Sequence, residues 1–128
     1  MKVAFDIDDT LIVPSVARGF GDNTPHYETI AIYKWFQSQG AEMILWSGSG
    51  VDWAKRWGEK LGLEPFSVWQ KQLPSVCSAH QEPKDGCPRC FVVDIAFDDC
   101  DVKLAKVNVK VKRINNGVSR KEWNETKQ

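Results

Sequence analysis

The sequence lacks an excess of charge of either sign. Its 17 lysines and arginines are balanced by 17 aspartates and glutamates, which gives a formal net charge of zero. Proteins that hold nucleic acid mainly through phosphate contacts carry a marked surplus of basic residues. The balanced composition therefore argues against a protein that binds nucleic acid through charge alone.

The sequence also lacks a long apolar run. No segment approaches the roughly 20 apolar residues that a membrane-spanning helix needs. The first ten residues, MKVAFDIDDT, carry aspartates where a signal peptide has its apolar stretch. We therefore expect a cytoplasmic protein with no membrane partner. Its 128 residues are too few for a catalytic domain with a large separate cap, so we predict a single domain over residues 1–128.

Short β-prone segments alternate with segments of helical periodicity. Pro14, Gly19, Gly21, Asn23 and Pro25 interrupt this alternation and predict a loop or small flap. Strands that alternate with helices indicate a doubly wound α/β fold, in which a parallel sheet is covered on both faces. The segments predict helices at 27–39 and 51–63, and strands at 2–7, 41–46, 66–69, 91–97 and 108–114. The polar tail from about 116 to 128 is expected either to form a surface helix or to fray.

Acidic and hydroxyl side chains follow several of the predicted strands. Because parallel strands end at the same edge of a sheet, these side chains are expected to lie together there. Grouped carboxylates repel one another, and a hard divalent cation with oxygen ligands keeps them ionised at low cost. Mg²⁺ is the natural candidate. The residues concerned are Asp6, Asp8, Ser47, Asp98 and Asp99.

Three motifs in this set resemble those of the haloacid dehalogenase superfamily phosphatases. Residues 6–10, DIDDT, resemble the DxDxT signature; residues 44–48, ILWSG, resemble the second motif, and residues 94–99, DIAFDD, the fourth. The resemblance covers residues 2 to about 114. It implies a Rossmann-like core with sheet order 5-4-1-2-3 and a minimal cap. Spacing alone does not predict that order.

The resemblance also implies a role for each residue of the three motifs. Asp6 is the nucleophile that forms an aspartyl-phosphate, and Asp8 is the general acid and then the general base. Ser47, with Gly48 beside it, binds the phosphate. The Mg²⁺ ligands are Asp6, the main-chain carbonyl of Asp8, Asp98, and Asp99 either directly or through water. An acid at position 8 favours phosphate chemistry, because dehalogenases of the same superfamily lack it.

The family's third motif, which lies between the second and the fourth, supplies a lysine that balances the charge of the nucleophile. Lys55, Lys71 and Lys84 compete for this role. Lys71 follows the predicted third strand and is expected near the active edge, whereas Lys55 is inside a helix and most naturally faces water. We predict Lys71, with Lys84 as the alternative if the loop that contains it folds back over the site.

The cysteines are few but closely spaced. Cys77-x2-His80-x6-Cys87-x2-Cys90 has the ligand arithmetic of a closed tetrahedral Zn²⁺ site, in an insertion at about 72–90 between the third and fourth strands. Water or another group is able to take the place of His80 as the fourth ligand. Unrelated thiols and a redox CxxC are the alternatives, although a redox pair normally opens a helix. Such zinc is structural, and the loop that carries it is a possible lid.

These patterns lead to a Mg²⁺-dependent phosphatase that hydrolyses a phosphomonoester. Nucleotides, a nucleic-acid 3′ end and small sugar phosphates all remain open as substrates. A phosphoacceptor receiver domain also gathers aspartates and a lysine on a parallel sheet, but it carries its acids in a different order. The remaining alternative is a zinc-stabilised binding module on a catalytically silent scaffold. An isolated acidic turn explains DIDDT taken alone, but not its coincidence with the other two motifs.

Overall fold

A computed structural model describes residues 1–14, 23–71, 79–80, 84, 87 and 89–113. Several predictions therefore fall wholly or partly outside the described residues. They concern the ligand Cys77, the tail from 116 to 128, most of the 72–90 insertion, residues 15–22 of the predicted loop or flap, and residue 114 at the end of the predicted fifth strand.

The described residues form an α/β structure around a parallel sheet of five strands. The sheet order is β5-β4-β1-β6-β7, and all four strand pairs are parallel. A second, two-stranded antiparallel sheet joins β2 to β3. The elements are β1 Lys2–Asp6, β2 Ile12–Pro14, β3 Asn23–Pro25, α1 Tyr27–Ser38, β4 Glu42–Trp46, α2 Val51–Lys60, β5 Ser67–Val68, β6 Ile95–Asp98 and β7 Val107–Lys110.

The strand labels differ from the predicted order 5-4-1-2-3 because the chain has two additional strands, β2 and β3, in the predicted flap. When those two are left out of the count, the succession across the large sheet is 3-2-1-4-5. Read from the opposite edge, this is 5-4-1-2-3.

Burial explains which strands lie at the centre of the sheet. In β1 the last four residues are buried, and in β4 the last four are buried as well. Such continuous burial is typical of a parallel strand that is covered on both faces. By contrast, all four residues of β7 are exposed and β5 has only two residues, as suits edge strands.

Glycines mark the ends of both helices. α1 ends just before Gly40, whose φ is +83°, and α2 lies between Gly50 at +104° and Gly62 at +68°. Residues with a Cβ rarely adopt these backbone conformations, so glycine supplies the sharp changes of direction. At the start of α1, the His26 side chain accepts a hydrogen bond from the Thr29 N–H and caps the helix.

Both helices pack on the same face of the sheet. Tyr33 of α1 and Trp57 of α2 belong to one buried cluster with Phe5 of β1. The prediction of a doubly wound fold expected helices on both faces. Within the described part of the chain that expectation is wrong, since no helix covers the second face.

Connecting segments cover the second face instead. Val93, Leu104 and Ala105, which lie outside the strands, pack there against Ile44 and Ala96. The link from β6 to β7 contains no helix, and the side chain of Asn108 fixes its backbone. The side-chain Oδ1 of Asn108 accepts hydrogen bonds from the N–H groups of Leu104 and Ala105 at 2.7 and 3.0 Å, and its side-chain Nδ2 donates to the Ala105 main-chain carbonyl at 2.8 Å.

Several predicted boundaries change by a few residues. The fourth strand was expected at 91–97, but β6 begins only at Ile95, because Phe91 packs against Cys90 in a separate small cluster. The fifth strand ends at Lys110 rather than 114. At the first helical position of α2, Val51 is 42% exposed and contributes little to the core.

Gly58 of α2 lies where the helix comes closest to the sheet. A Cβ at this position would be 2.5 Å from Leu45 Cδ1 and 2.5 Å from Phe66 Cζ. We expect Gly58→Ala to lower the free energy of unfolding by about 1–2 kcal/mol, because overpacking of a buried contact outweighs the gain in helix propensity. Denaturant unfolding measures the change, with the exposed Glu59→Ala as control. An unchanged or raised midpoint for Gly58→Ala would contradict this packing.

None of the helices in the described residues has the length and apolar character needed to cross a membrane.

Candidate functional site

The register of the sheet brings three strand ends together. Asp6 pairs with Trp46 across β1 and β4, and Phe5 pairs with Phe97 across β1 and β6. Asp98 therefore lies beside Asp6, and Ser47 directly follows the end of β4. The register therefore brings Asp6, Asp98 and Ser47 to the same edge of the sheet, as predicted.

The turn after β1 directs a hydroxyl group back at Asp6. The N–H groups of Thr10, Leu11 and Ile12 all donate to the Ile7 carbonyl, at 2.9–3.2 Å. Asp9 takes a φ of +62° in this turn, a conformation that aspartate tolerates better than most residues do. Thr10 Oγ1 then donates to Asp6 Oδ2 at 3.2 Å.

Lys71 joins the two central carboxylates. Its Nζ lies 3.3 Å from Asp6 Oδ1 and 2.6 Å from Asp98 Oδ2. Burial alone would lower the pKa of Lys71, but the hydrogen bonds and charges of the two aspartates outweigh burial and raise it. Of the competing lysines, Lys55 and Lys84 are exposed, and Lys71 is the one placed between these carboxylates.

The surroundings of Asp6 disfavour its ionised form. It is 5% exposed, and burial, together with the neighbouring charge of Asp98, raises its pKa to about 7 despite the opposing effect of Lys71. Asp99 adds a smaller contribution in the same direction. Additional positive charge nearby would stabilise the ionised form of such a buried carboxylate.

Asp98 and Asp99 are the other two carboxylates at this edge, and each accepts hydrogen bonds from a neighbouring residue. Asp98 Oδ1 accepts a hydrogen bond from the Cys100 N–H at 2.9 Å. The Arg113 guanidinium reaches Asp99 Oδ2 through Nε and Nη2, both at 2.7 Å. The two aspartates are 3% and 9% exposed, so their charges lie largely out of solvent.

Asp8 accepts two hydrogen bonds from other residues of the site. Trp53 Nε1 donates to Asp8 Oδ1 at 3.2 Å, and Ser47 Oγ donates to Oδ2 at 3.4 Å. Ser47 Oγ in turn accepts from the Ser49 N–H at 3.0 Å. A Cβ added at Gly48 would meet no atom within 4 Å, so the space beside it is open. Phosphate binding by Ser47 and Gly48 stays a prediction.

Three carboxylates at this edge offer the hard oxygen ligands that Mg²⁺ prefers. Asp98 and Asp99 have oxygens within 4.8 Å of one another, in a group with Cys100, and Asp6 is joined to Asp98 through Lys71. With Asp6 ionised, the three negative charges outnumber the two positive charges of Lys71 and Arg113, and a divalent cation would neutralise the remainder. Mg²⁺ binding by these residues stays a prediction. The proposed ligand role of the Asp8 main-chain carbonyl stays a prediction.

A second cluster joins three of the four predicted zinc ligands. The ligand atoms of His80, Cys87 and Cys90 all lie within 4.8 Å of one another. Cys90 Sγ and His80 Nδ1 are 3.4 Å apart, close to the roughly 3.5 Å that tetrahedral Zn–S and Zn–N bonds impose on two such ligands. This cluster is a possible site for a metal such as zinc; Cys77, the fourth predicted ligand, lies outside the described residues.

Sequence reasoning missed two side chains of the site, Trp53 and Arg113. Trp53 was assigned to an amphipathic helix, although a helix that follows the loop after β4 must begin at the active edge. Arg113 was placed inside the fifth strand. That strand ends at Lys110, so Arg113 lies just after a strand end. The aspartates of the site were predicted because they follow strand ends, and the same criterion would have identified Arg113.

A comparison with known protein families found no family model that matches this chain, and a comparison with curated proteins found no relative.

Proposed function

We propose that this protein is a Mg²⁺-dependent phosphatase of the haloacid dehalogenase type, which hydrolyses a phosphomonoester through an aspartyl-phosphate on Asp6. One observation carries the proposal. A buried carboxylate at the end of the central strand shares a lysine with a second carboxylate, at 3.3 and 2.6 Å. The motifs at residues 6–10, 44–48 and 94–99 support the same assignment.

In the first step an oxygen of Asp6 attacks phosphorus, and the bond from phosphorus to the leaving oxygen breaks. Asp8 gives its proton to that oxygen, so the product leaves as an alcohol. Lys71 offsets the charge of Asp6 and attracts the phosphoryl group, while the Ser47 hydroxyl donates to a phosphoryl oxygen. Thr10, which donates to Asp6 Oδ2, leaves Oδ1 on the side of Lys71.

In the second step water attacks the phosphorus of the aspartyl-phosphate. Asp8, now a carboxylate, takes a proton from that water, and the bond between phosphorus and Asp6 breaks. Inorganic phosphate leaves, and Asp8 is protonated again for the next turnover. The two aspartates thus divide covalent catalysis and proton transfer between them.

Asp6, Asp98 and Asp99, with the main-chain carbonyl of Asp8, would hold Mg²⁺. When bound, Mg²⁺ supplies positive charge that lets an anionic nucleophile approach an anionic phosphate. Arg113 holds Asp99 from the solvent side and so keeps this carboxylate oriented within the site.

We also propose that Cys77, His80, Cys87 and Cys90 bind one structural Zn²⁺. The 3.4 Å separation of Cys90 Sγ and His80 Nδ1 supports it. Four protein ligands close the coordination shell, so the zinc has no position for substrate. Its role is to order the insertion that follows Lys71.

The rival function is a zinc-stabilised binding module with a silent active site. It would use the same zinc cluster as the proposed phosphatase, but it would not need the contacts that join Asp6 to Lys71 and Asp98. A module of this kind would bind Mg²⁺ and zinc without any turnover, and that outcome separates the two functions.

The test is a screen of phosphate esters with purified, zinc-loaded protein, in Mg²⁺ and in buffer freed of Mg²⁺ by dialysis. We expect release of inorganic phosphate in Mg²⁺ alone from at least one of p-nitrophenyl phosphate, nucleotides, 3′-phosphorylated oligonucleotides and sugar phosphates. Lys71→Met should lower kcat about a hundredfold, because a charge at the reacting group is lost. Lys55→Met, an exposed lysine on α2, should leave kcat unchanged. Turnover that is equally fast without Mg²⁺, or equal effects of both substitutions, would contradict the proposal.

A further inference from the structure

The hydrogen bonds to Asp8 distinguish its two oxygens. Oδ1 faces the Trp53 indole N–H at 3.2 Å, and Oδ2 faces the Ser47 hydroxyl at 3.4 Å. These two donors differ in one chemical respect. An indole N–H only donates, whereas a hydroxyl both donates and accepts.

This difference decides where Asp8 can carry a proton while it keeps both neighbours. A proton on Oδ1 would convert the oxygen that accepts from the indole N–H into a hydroxyl oxygen, which is a poorer acceptor, and the hydrogen bond from Trp53 would be weakened. A proton on Oδ2 keeps that bond and lets Ser47 Oγ change from donor to acceptor. Ser47 Oγ already accepts from the Ser49 N–H at 3.0 Å and has a second lone pair for this purpose.

We propose that Trp53 is a positioning residue that holds Oδ1 of Asp8 as an acceptor, so that the catalytic proton resides on Oδ2, beside Ser47. This inference rests on the proposed phosphatase function. Before the reaction Oδ2 donates its proton to Ser47 Oγ, which frees the Ser47 hydrogen to donate to the phosphoryl group; in the reaction the Oδ2 proton passes to the leaving oxygen. The phosphate ligand and the proton donor are thereby coupled through one hydroxyl.

The surroundings of Trp53 suit a fixed role. Its ring is partly buried against the core of the helix-covered face and meets the Trp57 ring edge-on, with centroids 6.0 Å apart. Gly50, with a φ of +104°, begins the helix that carries it. Phenylalanine at position 53 keeps the ring contacts and removes only the N–H.

The test compares Trp53→Phe with wild type on phenyl phosphate and p-nitrophenyl phosphate, in Mg²⁺. The two esters have similar shapes, but phenolate is a much poorer leaving group than p-nitrophenolate. Release of phenolate therefore depends far more on proton donation to its oxygen. Trp53→Phe should lower kcat for phenyl phosphate about tenfold or more and change kcat for p-nitrophenyl phosphate less than about threefold, with KM little affected. Trp57→Phe, the same substitution one turn along α2, should reduce both rates alike or neither.

A second pair of variants links the effect to Asp8. In an Asp8→Asn background, adding Trp53→Phe should cause no further loss, because the proton that Trp53 directs is gone. The indole N–H resonance of Trp53 should also shift between wild type and Asp8→Asn, which is a readout that does not depend on how Trp53→Phe folds.

Equal losses on both esters, a further loss in the Asp8→Asn background, or an unmoved indole resonance would each overturn the inference and leave the phosphatase function standing. If wild type releases phosphate from neither ester nor any other in the screen, the proposed function fails, and this inference fails with it.

Discussion

Asp6→Asn is expected to abolish phosphate release, with kcat reduced at least about a thousandfold, because an amide cannot form the aspartyl-phosphate. The substituted side chain keeps the size of aspartate, but it has one acceptor oxygen in place of two, so it can accept from Thr10 Oγ1 or from Lys71 Nζ and not from both. The measurement is release of inorganic phosphate from the best substrate of the screen. Retention of more than about a hundredth of wild-type activity would contradict covalent catalysis by Asp6.

The stability of the same variant serves as its control. Since burial and Asp98 raise the pKa of Asp6 to about 7, the folded state favours the protonated form more than the unfolded state does. Ionised Asp6 therefore costs stability above pH 7, and the cost fades as the pH falls toward 4. Without metal, Asp6→Asn should hold or raise Tm at pH 8 and help less at pH 5. A lower Tm at pH 8 would mean that lost activity reflects misfolding.

Asp8→Asn separates the two steps of the proposed reaction. This variant keeps the nucleophile but has no proton donor or base, so the second step should slow more than the attack on an activated ester. Phosphate should then accumulate on Asp6, where mass spectrometry of the labelled peptide detects it. Asp6→Asn should show no such label.

Removal of zinc is expected to have the second large effect. Protein purified from zinc-containing medium should carry about one zinc per chain, distinct from exchangeable magnesium. A strong chelator, or Cys87→Ser, should lower Tm and loosen the insertion, because metal binding and local folding form one coupled equilibrium. Elemental analysis and thermal unfolding measure the two parts of this result.

Cys100→Ser is the matched control for the zinc experiment. Cys100 lies just after β6, where its Sγ contacts Asp99, and it belongs to a separate group with Asp98 and Asp99 rather than to the cluster of His80, Cys87 and Cys90. Its substitution should leave the zinc content unchanged, and added magnesium should not restore the stability that Cys87→Ser loses. Protein that contains no zinc and still melts as wild type does would show that the cysteines serve another purpose.

The central part of the fold could be predicted because two periodicities coincide with burial. The apolar runs of β1 and β4 and the helical pattern of α1 are strong local signals, and the structure places elements there. Parallel strands then decide which residues share an edge. Asp6 and Asp98 were expected to meet for this reason, and the register of β1 and β6 brings them together.

The errors have physical causes as well. Alternation of strands and helices predicts that helices cover both faces, but it does not show that a short link stabilised by a side chain can replace one of them. Strand ends are weak signals, since Phe91 is as apolar as a strand residue and yet packs outside β6. The misplaced end of the fifth strand also concealed Arg113.

The site contained one contact that no sequence pattern indicates. The hydrogen bond from Trp53 to Asp8 joins residues 45 positions apart, and it depends on how far α2 is rotated over the sheet. An amphipathic pattern predicts which side of a helix is buried, but not which buried or half-buried atom reaches a carboxylate.

Asn108 shows how loosely exposure and tolerance to substitution are related in this protein. It lies on an edge strand whose four residues are all exposed, so a conservation argument based on burial would treat it like its neighbours Val107 and Val109. Its side chain nevertheless makes three hydrogen bonds to the backbone of the preceding link. Aspartate could replace only the two accepted bonds, and an aliphatic residue none. Among relatives that share the short link, position 108 should therefore vary as little as the core does, while the valines on either side drift.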